Sequence, residues 1–261
     1  MFIKKITKNI LSRLNLSTYG NVNNKSILNA INLLRPFDLG HEFVRIGGST
    51  DGSYILPKIT NEIEYCFSAG YGENCSFEKE LEKYNIKSFL ADYNYDAPTE
   101  LTNFQYEKKF IKSYTDDQSI NINSWIESSV PKDAKNMIMQ MDIEGGEYEL
   151  LHAITENNLN RFKVMVIELH HLHSVNNLVF HQYFVACLKK LKKYFEVFFL
   201  HPNNCCGVSN FNGIIFPKVL EITLVNKSAI KKKEKFDDTK KNLVIKNFLE
   251  KEMINLPDYW F

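Results

Sequence analysis

The chain has 261 residues, of which 44% are hydrophobic and 13% aromatic, with 32 Lys and Arg against 31 Asp and Glu. That length fits one α/β domain with additions, and the apolar content excludes a disordered chain. A net charge of +1 removes the electrostatic case for a nucleic-acid binder.

In chain order, apolar Ile3, Ile6, Ile10, Leu11 and Leu14 alternate with basic residues, the pattern of an amphipathic helix over 2–15. Such a helix packs on its own domain or a second subunit, or lies on a membrane surface. Lysines interrupt it too often for a secretory signal, and no apolar run is long enough to span a bilayer, so the expectation is a soluble cytoplasmic protein. The five cysteines (Cys66, Cys75, Cys187, Cys205, Cys206) include no C-x-x-C pair and leave one odd, which fits free thiols in a reducing compartment. A second helix is expected over Lys25–Leu34, ended by Pro36. The glycines and Asp-Gly within Val44–Pro57 predict a turn between two extended pieces. They form either a surface hairpin, which the residues favour, or a flap that turns Asp51 and Tyr54 toward a ligand.

From Glu64 to about Asn226 strands alternate with helices. Strands are expected at 64–68, 87–91, 108–112, 136–142, 163–169, 195–200 and 219–225, and helices at 76–84, 119–128, 146–157 and 178–193. This is a doubly wound α/β sheet. The runs at 136–142 and 163–169 are almost wholly apolar, as parallel strands covered on both faces must be. Beyond Asn226 a charged loop, a tail helix over 242–254 and the aromatic end Tyr259-Trp260-Phe261 follow, either docked on the domain or forming a homodimer contact. The expected division is an N-terminal helical segment (1–42), a catalytic domain (43–226) and a C-terminal charged loop and helix packed on it (227–261).

The first strand leads into Ser68-Ala69-Gly70-Tyr71-Gly72. Glycines there let the backbone turn tightly and clear a ligand's path. Asp92 follows Gly72 by twenty residues, at the end of the next apolar run, placed to take ribose hydroxyls. The third glycine of a dinucleotide fingerprint is missing. The expected cofactor contacts are Ser68, Gly70, Tyr71, Gly72, Asp92 and Tyr93, with Asp51 and Tyr54 from the flap. Two further strand ends carry Asp142-Ile143-Glu144-Gly145-Gly146-Glu147 and Glu168-Leu169-His170-His171-Leu172-His173. If the chain stays extended, Asp142 and Glu144 share one face, and Glu168 and His170 another. Carboxylates and an imidazole meeting there can supply a general base or hold a hard divalent cation. Glu147 also suits the electrostatics of a helix N-terminus. His201 either reaches the pocket or caps its loop.

Met141-Asp142-Ile143-Glu144-Gly145-Gly146-Glu147-Tyr148-Glu149-Leu150-Leu151 resembles the Asp-hydrophobic-Glu-Gly-x-Glu segment of the FkbM-type S-adenosylmethionine-dependent methyltransferases. Arg45 with Asp51-Gly52-Ser53-Tyr54, the strand ending at Glu168, and Asn212–Phe216 also agree in placement. The resemblance covers roughly residues 43–225, and Ser68 departs from the acid that many methyltransferases carry before the glycines. It implies a Rossmann-like class I fold with seven strands, the last antiparallel, and S-adenosylmethionine at Gly70–Gly72. It also implies a possible Mg or Mn ion on Asp142, Glu168 and His170. Catalysis is then expected from His170, Asp142 and Glu168, and acceptor contacts from Glu144, His171, His173, His201 and Asn203. The expected acceptor is a hydroxyl of a nucleotide-activated sugar for a bacterial capsule or other surface polysaccharide. The alternatives are a small phosphorylated or amide-bearing metabolite, an NAD-dependent oxidoreductase, or a degenerate fold acting as an assembly partner. The oxidoreductase lacks a convincing Tyr-x-x-x-Lys, and the intact Gly70, Gly72, Asp92, Asp142 and Glu168 argue against degeneration.

Overall fold

The computed structural model describes residues 20–261. The expected helix over 2–15 lies outside the described residues. Helix α1 (Asn24–Leu34) opens on the side chain of Asn23, which accepts from Ser26 N. Strands β1 (Phe37–Asp38), β2 (Phe43–Ile46) and β3 (Tyr54–Pro57) follow. Then come β4 (Tyr65–Ala69), α2 (Ser76–Glu82), β5 (Lys87–Ala91), β6 (Phe104–Glu107), β7 (Phe110–Lys112), β8 (Ser119–Asn121) and α3 (Ile122–Ser129). The chain continues with β9 (Met137–Met141), α4 (Glu147–Ala153), α5 (Glu156–Leu159), β10 (Phe162–Leu169) and α6 (Leu178–Tyr194). It closes with β11 (Phe195–Pro202), β12 (Val208–Phe211), β13 (Ile214–Pro217), β14 (Leu220–Asn226) and β15 (Glu234–Lys235).

Seven strands form the central sheet in the order β11-β14-β10-β9-β4-β5-β6. The five from β10 to β6 run parallel, and β14 enters antiparallel to both β10 and β11. This is the expected Rossmann-like sheet with its last strand antiparallel. Strand alternation divides the core. Phe67, Met139 and Met165 face one apolar layer with Trp125, Leu150 and Phe184 from α3, α4 and α6. Cys66, Ile138 and Val166 face the other, with Tyr54 and Leu56 of β3 and Phe77 and Leu81 of α2.

Three expectations are corrected. The third sheet strand is Phe104–Glu107, not 108–112; Phe110–Lys112 pairs with β8 in a separate ribbon. The β2–β3 hairpin is not a surface feature. All four residues of β3 are buried, Phe43 stacks on Phe198 at 4.1 Å, and Thr223 Oγ1 donates to Ile55 O at 2.7 Å. The tail helix over 242–254 does not form; a 3-10 helix spans Asp238–Leu243 and irregular chain follows. Asn247 and Phe248 are taken into bonds with the sheet's end: Asn247 Nδ2 donates to Glu221 Oε1 at 2.7 Å and Phe248 N to Asn204 Oδ1 at 2.9 Å. These fixed partners outcompete a short helix whose own propensity is marginal. Trp260 is fully buried, edge-on to Phe216 at 4.8 Å. The aromatic end therefore docks on its own domain, and the exposure that suggested a dimer is absent for this residue. No described helix is long and apolar enough to cross a membrane.

Candidate active site

The carboxyl ends of β4, β5 and β9 open into one cleft of about 560 Å³. Asp51, Tyr54, Gly70, Tyr71, Gly72, Asp92, Tyr93, Asp142 and Glu144 all line it. Asp92 and Asp142 thus face the same space, the juxtaposition on which the expected chemistry depends. Gly70 has φ +74°, and a Cβ there would meet Asp142 O at 1.8 Å, so β4 and β9 approach too closely for any side chain. Gly72, at φ +68°, has nothing within 4 Å of such a Cβ and leaves the cleft clear. Asp92 is held by local amides: Asn94 N donates to Oδ1 at 2.8 Å and Gly72 N to Oδ2 at 3.4 Å. Tyr93 stacks on Phe110 at 4.6 Å and forms a flat wall.

Ser68 does not line the cleft. It is buried beneath, where its hydroxyl donates to Glu78, a lining residue. Burial pushes Glu78 up to about 7, against the opposing bond from Ser68. The expected direct contact of Ser68 with the cofactor is thus corrected: Ser68 touches Glu78, and Glu78 is the one that faces the cleft.

The second group lies at the ends of β9 and β10. His170 Nδ1 is 2.9 Å from Glu147 Oε1, while its Nε2 is 3.4 Å from Glu144, 3.8 Å from Asp142 and 3.9 Å from Glu168. The strand ends at Met141 and Glu144 is left-handed at φ +53°, so the extended path assumed for Asp142 and Glu144 is not taken. Burial raises Asp142 to about 7; His170 opposes this, while Glu144, Glu147 and Asp51 add to it. Burial alone would lower His170, but the bond to Glu147 and the charges of Asp142 and Glu144 outweigh it and raise it. Burial, then Asp142, Glu221 and Asp51, hold Glu168 well above the usual carboxylate range.

Glu147, read from the sequence as an acid suited to a helix N-terminus, was not expected among the site residues. It is fully buried, and its Oε1 also accepts from Gly145 N at 3.1 Å and Ile143 N at 3.3 Å. The third acid of the Asp142–Glu147 segment was its only signal. Among the described residues, Asp142, Glu147 and His170 are the group whose ligand atoms lie within 4.8 Å of one another. Asp142 Oδ1 and Glu147 Oε2 are buried without hydrogen-bond partners. Two carboxylates and an imidazole with orphaned oxygens fit a hard divalent cation. In that donor set Glu147 stands where Glu168 was expected. Glu168 Oε1, though 3.9 Å from His170 Nε2, accepts from Asn203 Nδ2 at 2.8 Å.

Asn203 is buried and bridges Glu168 to Asp51, its Nδ2 lying 3.5 Å from Asp51 Oδ1. Asn247 Nδ2 makes a parallel bridge from Asp51 at 3.0 Å to Glu221 at 2.7 Å. Neither Asn247 nor Glu221 was singled out from the sequence. Burial pushes Glu221 up to about 8 despite Asn247. His201 does not reach the cleft. It caps the tail through Nε2 to Ile245 O at 3.0 Å, and burial lowers it to about 4. His171 and His173 lie away from the first cleft and line a second of about 700 Å³, which shares Lys112, Ile143 and Glu144 with the first.

Comparison with known proteins matches residues 29–195 to the methyltransferase FkbM domain. No curated protein matches the chain. Among solved structures, a chain of the fibrillarin–Nop5p complex is similar at 10% identity and a TM-score of 0.36, over 64% of this chain and 73% of that one. A protein from Listeria monocytogenes described as an S-adenosylmethionine-dependent methyltransferase is similar at 10% identity and a TM-score of 0.35, over 66% and 94%. Likenesses this slight add nothing to the assignment, which rests on a match spanning more than half of the chain. With the cleft beyond the strand ends and the Asp142–Glu147 segment at its edge, the chain belongs to the FkbM methyltransferase family and is an S-adenosylmethionine-dependent methyltransferase.

Proposed function

We propose that the protein methylates a hydroxyl of a sugar in the form of a nucleotide-activated precursor of a bacterial surface polysaccharide. One observation carries this: Asp92 and Asp142 line one cleft, and Asp142 is the member on that cleft of the group it forms with the buried Glu147 and His170. In this assignment Asp92 holds the ribose hydroxyls, Gly70 and Gly72 admit the backbone-hugging part of the cofactor, and the Tyr93–Phe110 wall takes the adenine. The cofactor supplies an already activated methyl group. What remains for the protein is to position the acceptor oxygen, worth on the order of 7–11 kcal/mol, and to take its proton. His170 is the base in this scheme. Glu147 fixes its tautomer and orientation from Nδ1, which leaves Nε2 turned toward Asp142 and Glu144. In the alternative arrangement a divalent cation bound by Asp142, Glu147 and His170 would lower the pKa of a coordinated hydroxyl, and His170 would then be a ligand and not the base.

Polar and ionisable side chains around both clefts favour a hydroxylated acceptor over a lipid. Calorimetry with S-adenosylmethionine and with NAD tests the cofactor, and binding of NAD alone would overturn the assignment. Mass spectrometry of nucleotide sugars incubated with S-adenosylmethionine tests the acceptor through a methyl mass increment. His170→Ala should abolish that increment and leave cofactor binding intact; full turnover in this variant removes the base from His170. Dialysis against EDTA followed by Mg or Mn addition tests the cation, and an unchanged rate removes it.

A further inference from the structure

We propose that the second cleft is the acceptor site, and that it takes a pyranose ring stacked on Tyr183 with its hydroxyls held by Glu144, His171 and His173. This rests on the methyl-transfer assignment above and gives its acceptor a place.

The cleft has two unlike walls. One is aromatic. Tyr148 lies edge-on to Phe180 at 5.2 Å, and Tyr183 lies flat against His152, with ring centroids 4.3 Å apart and planes 7° from parallel. Tyr183 nevertheless stays 40% exposed. A ring held flat by a stacked neighbour offers a rigid apolar surface and loses little freedom when a ligand covers it. Its polar lining includes Glu144, His171 and His173, the two imidazoles edge to face at 5.8 Å, besides Ser174 and the Lys112–Glu149 pair. A carboxylate only accepts hydrogen bonds, whereas a neutral imidazole both donates and accepts. A pyranose is divided in the same way, into a flat C–H face and a rim of hydroxyls that donate and accept. Lys112 is engaged with Glu149 at 3.7 Å, so it is not a free cation awaiting a phosphate.

The backbone supplies an independent observation. Glu144, at the seam between the clefts, and His171, on the second, are non-glycine residues in the left-handed region, at φ +53° and +56°. Gly145 packs against the His171 ring, whose Nε2 a Cβ there would meet at 2.5 Å. Residues in sparsely populated conformations persist where the surroundings over-determine them, and they cluster at ligand sites. The seam also adjoins the chemistry. Glu144 lines both clefts and its Oε2 lies 3.4 Å from His170 Nε2, while Tyr148 donates its hydroxyl to His170 O at 2.5 Å. A ring in the second cleft is therefore one side chain from the proposed base.

The test uses the full chain saturated with S-adenosylhomocysteine and a panel of free hexoses and uridine- and guanosine-diphosphate hexoses, read by saturation-transfer NMR. Parallel reactions with S-adenosylmethionine read methyl uptake. At least one hexose should bind the wild type. Tyr183→Ala and His171→Gly should each weaken that binding tenfold or more, and Tyr183→Phe should retain it. Calorimetric binding of S-adenosylmethionine should not change. His171→Gly should also keep the melting temperature, because glycine suits the left-handed backbone. If a hexose is methylated but both weakened variants bind it as well as the wild type, the cleft is not the acceptor site and the methyl-transfer assignment survives. If hexose binding is lost in the variants yet no methyl passes, the cleft stands and the sugar methyl-transfer assignment falls. If no hexose binds the wild type, the pyranose proposal is overturned.

Discussion

Replacing Glu147 with Gln removes one charge and almost no volume from the centre of the site. Glu147 Oε1 receives His170 Nδ1 at 2.9 Å and the amides of Gly145 and Ile143. A glutamine oxygen can keep the amide bonds but cannot stabilise an imidazolium as a carboxylate does. A hydrogen bond to a charged group contributes about 1.5–3 kcal/mol, which is roughly a 10- to 150-fold change in the ratio of imidazolium to imidazole at fixed pH. In the wild type, burial lowers His170, and Glu147, Asp142 and Glu144 together raise it above the ordinary value. The stability gained from the raised His170 is present at low pH and lost as pH rises through the folded-state midpoint. In Glu147→Gln burial is less opposed, so the midpoint must fall. Imidazole NMR on EDTA-treated protein reads this directly, with His170 assigned among the seven histidines through His170→Asn. A midpoint that stays in place or rises refutes the role given to Glu147. In turnover, kcat/KM should fall by a comparable factor while the Kd for S-adenosylmethionine holds. A loss of cofactor binding instead would make Glu147 a structural support of the cleft.

Asp92→Ala should weaken S-adenosylmethionine binding about 10- to 150-fold by removing charge-assisted bonds, without lowering the melting temperature much; unchanged calorimetric affinity would displace the ribose from Asp92. Trp260→Ala should cost about 3–5 kcal/mol in denaturant titration, since the ring is fully buried and its Nε1 donates to Ile215 O at 3.2 Å. A cost below about 1 kcal/mol would mean that the tail is not docked as described. Burial raises Glu221 from 4.5 to about 8 in the folded protein, so its contribution favours folding at acid pH and is lost as pH climbs through that window. Glu221→Gln should therefore melt close to the wild type at pH near 5 and above it at pH near 9, and parallel curves across that range would refute the assignment.

Much of the sheet is legible because its central strands are chemically simple. Met137–Met141 and Phe162–Leu169 are long apolar runs, and burial on both faces is what such runs require. The edge strand Phe104–Glu107 was missed because an edge needs no such run. Its residues alternate between half-buried and exposed, while Lys108–Lys112 holds Phe110 and Ile111 together and looks more like a strand. The glycine turn and Asp92 could be read from spacing alone, since backbone geometry at Gly70 admits no alternative. Glu147 could not be. A glutamate at a helix start is ordinarily solvated, and only the packed structure shows it fully buried against His170. The same holds for Glu221, Asn203 and Asn247, whose partners are 26 to 196 positions away in sequence. His201 was placed at the right strand end, but its ring turns to the tail because Ile245 O offers a partner there.

The clamp from Asn247 has a temporal consequence. Asp51 arrives early in synthesis and Glu221 much later, yet the side chain that ties them belongs to residue 247, beyond the segment 29–195 that defines the family. A nascent chain can therefore pair its strands before its buried acids are bridged. A chain cut short before Asn247 would carry the family's motifs with that knot untied.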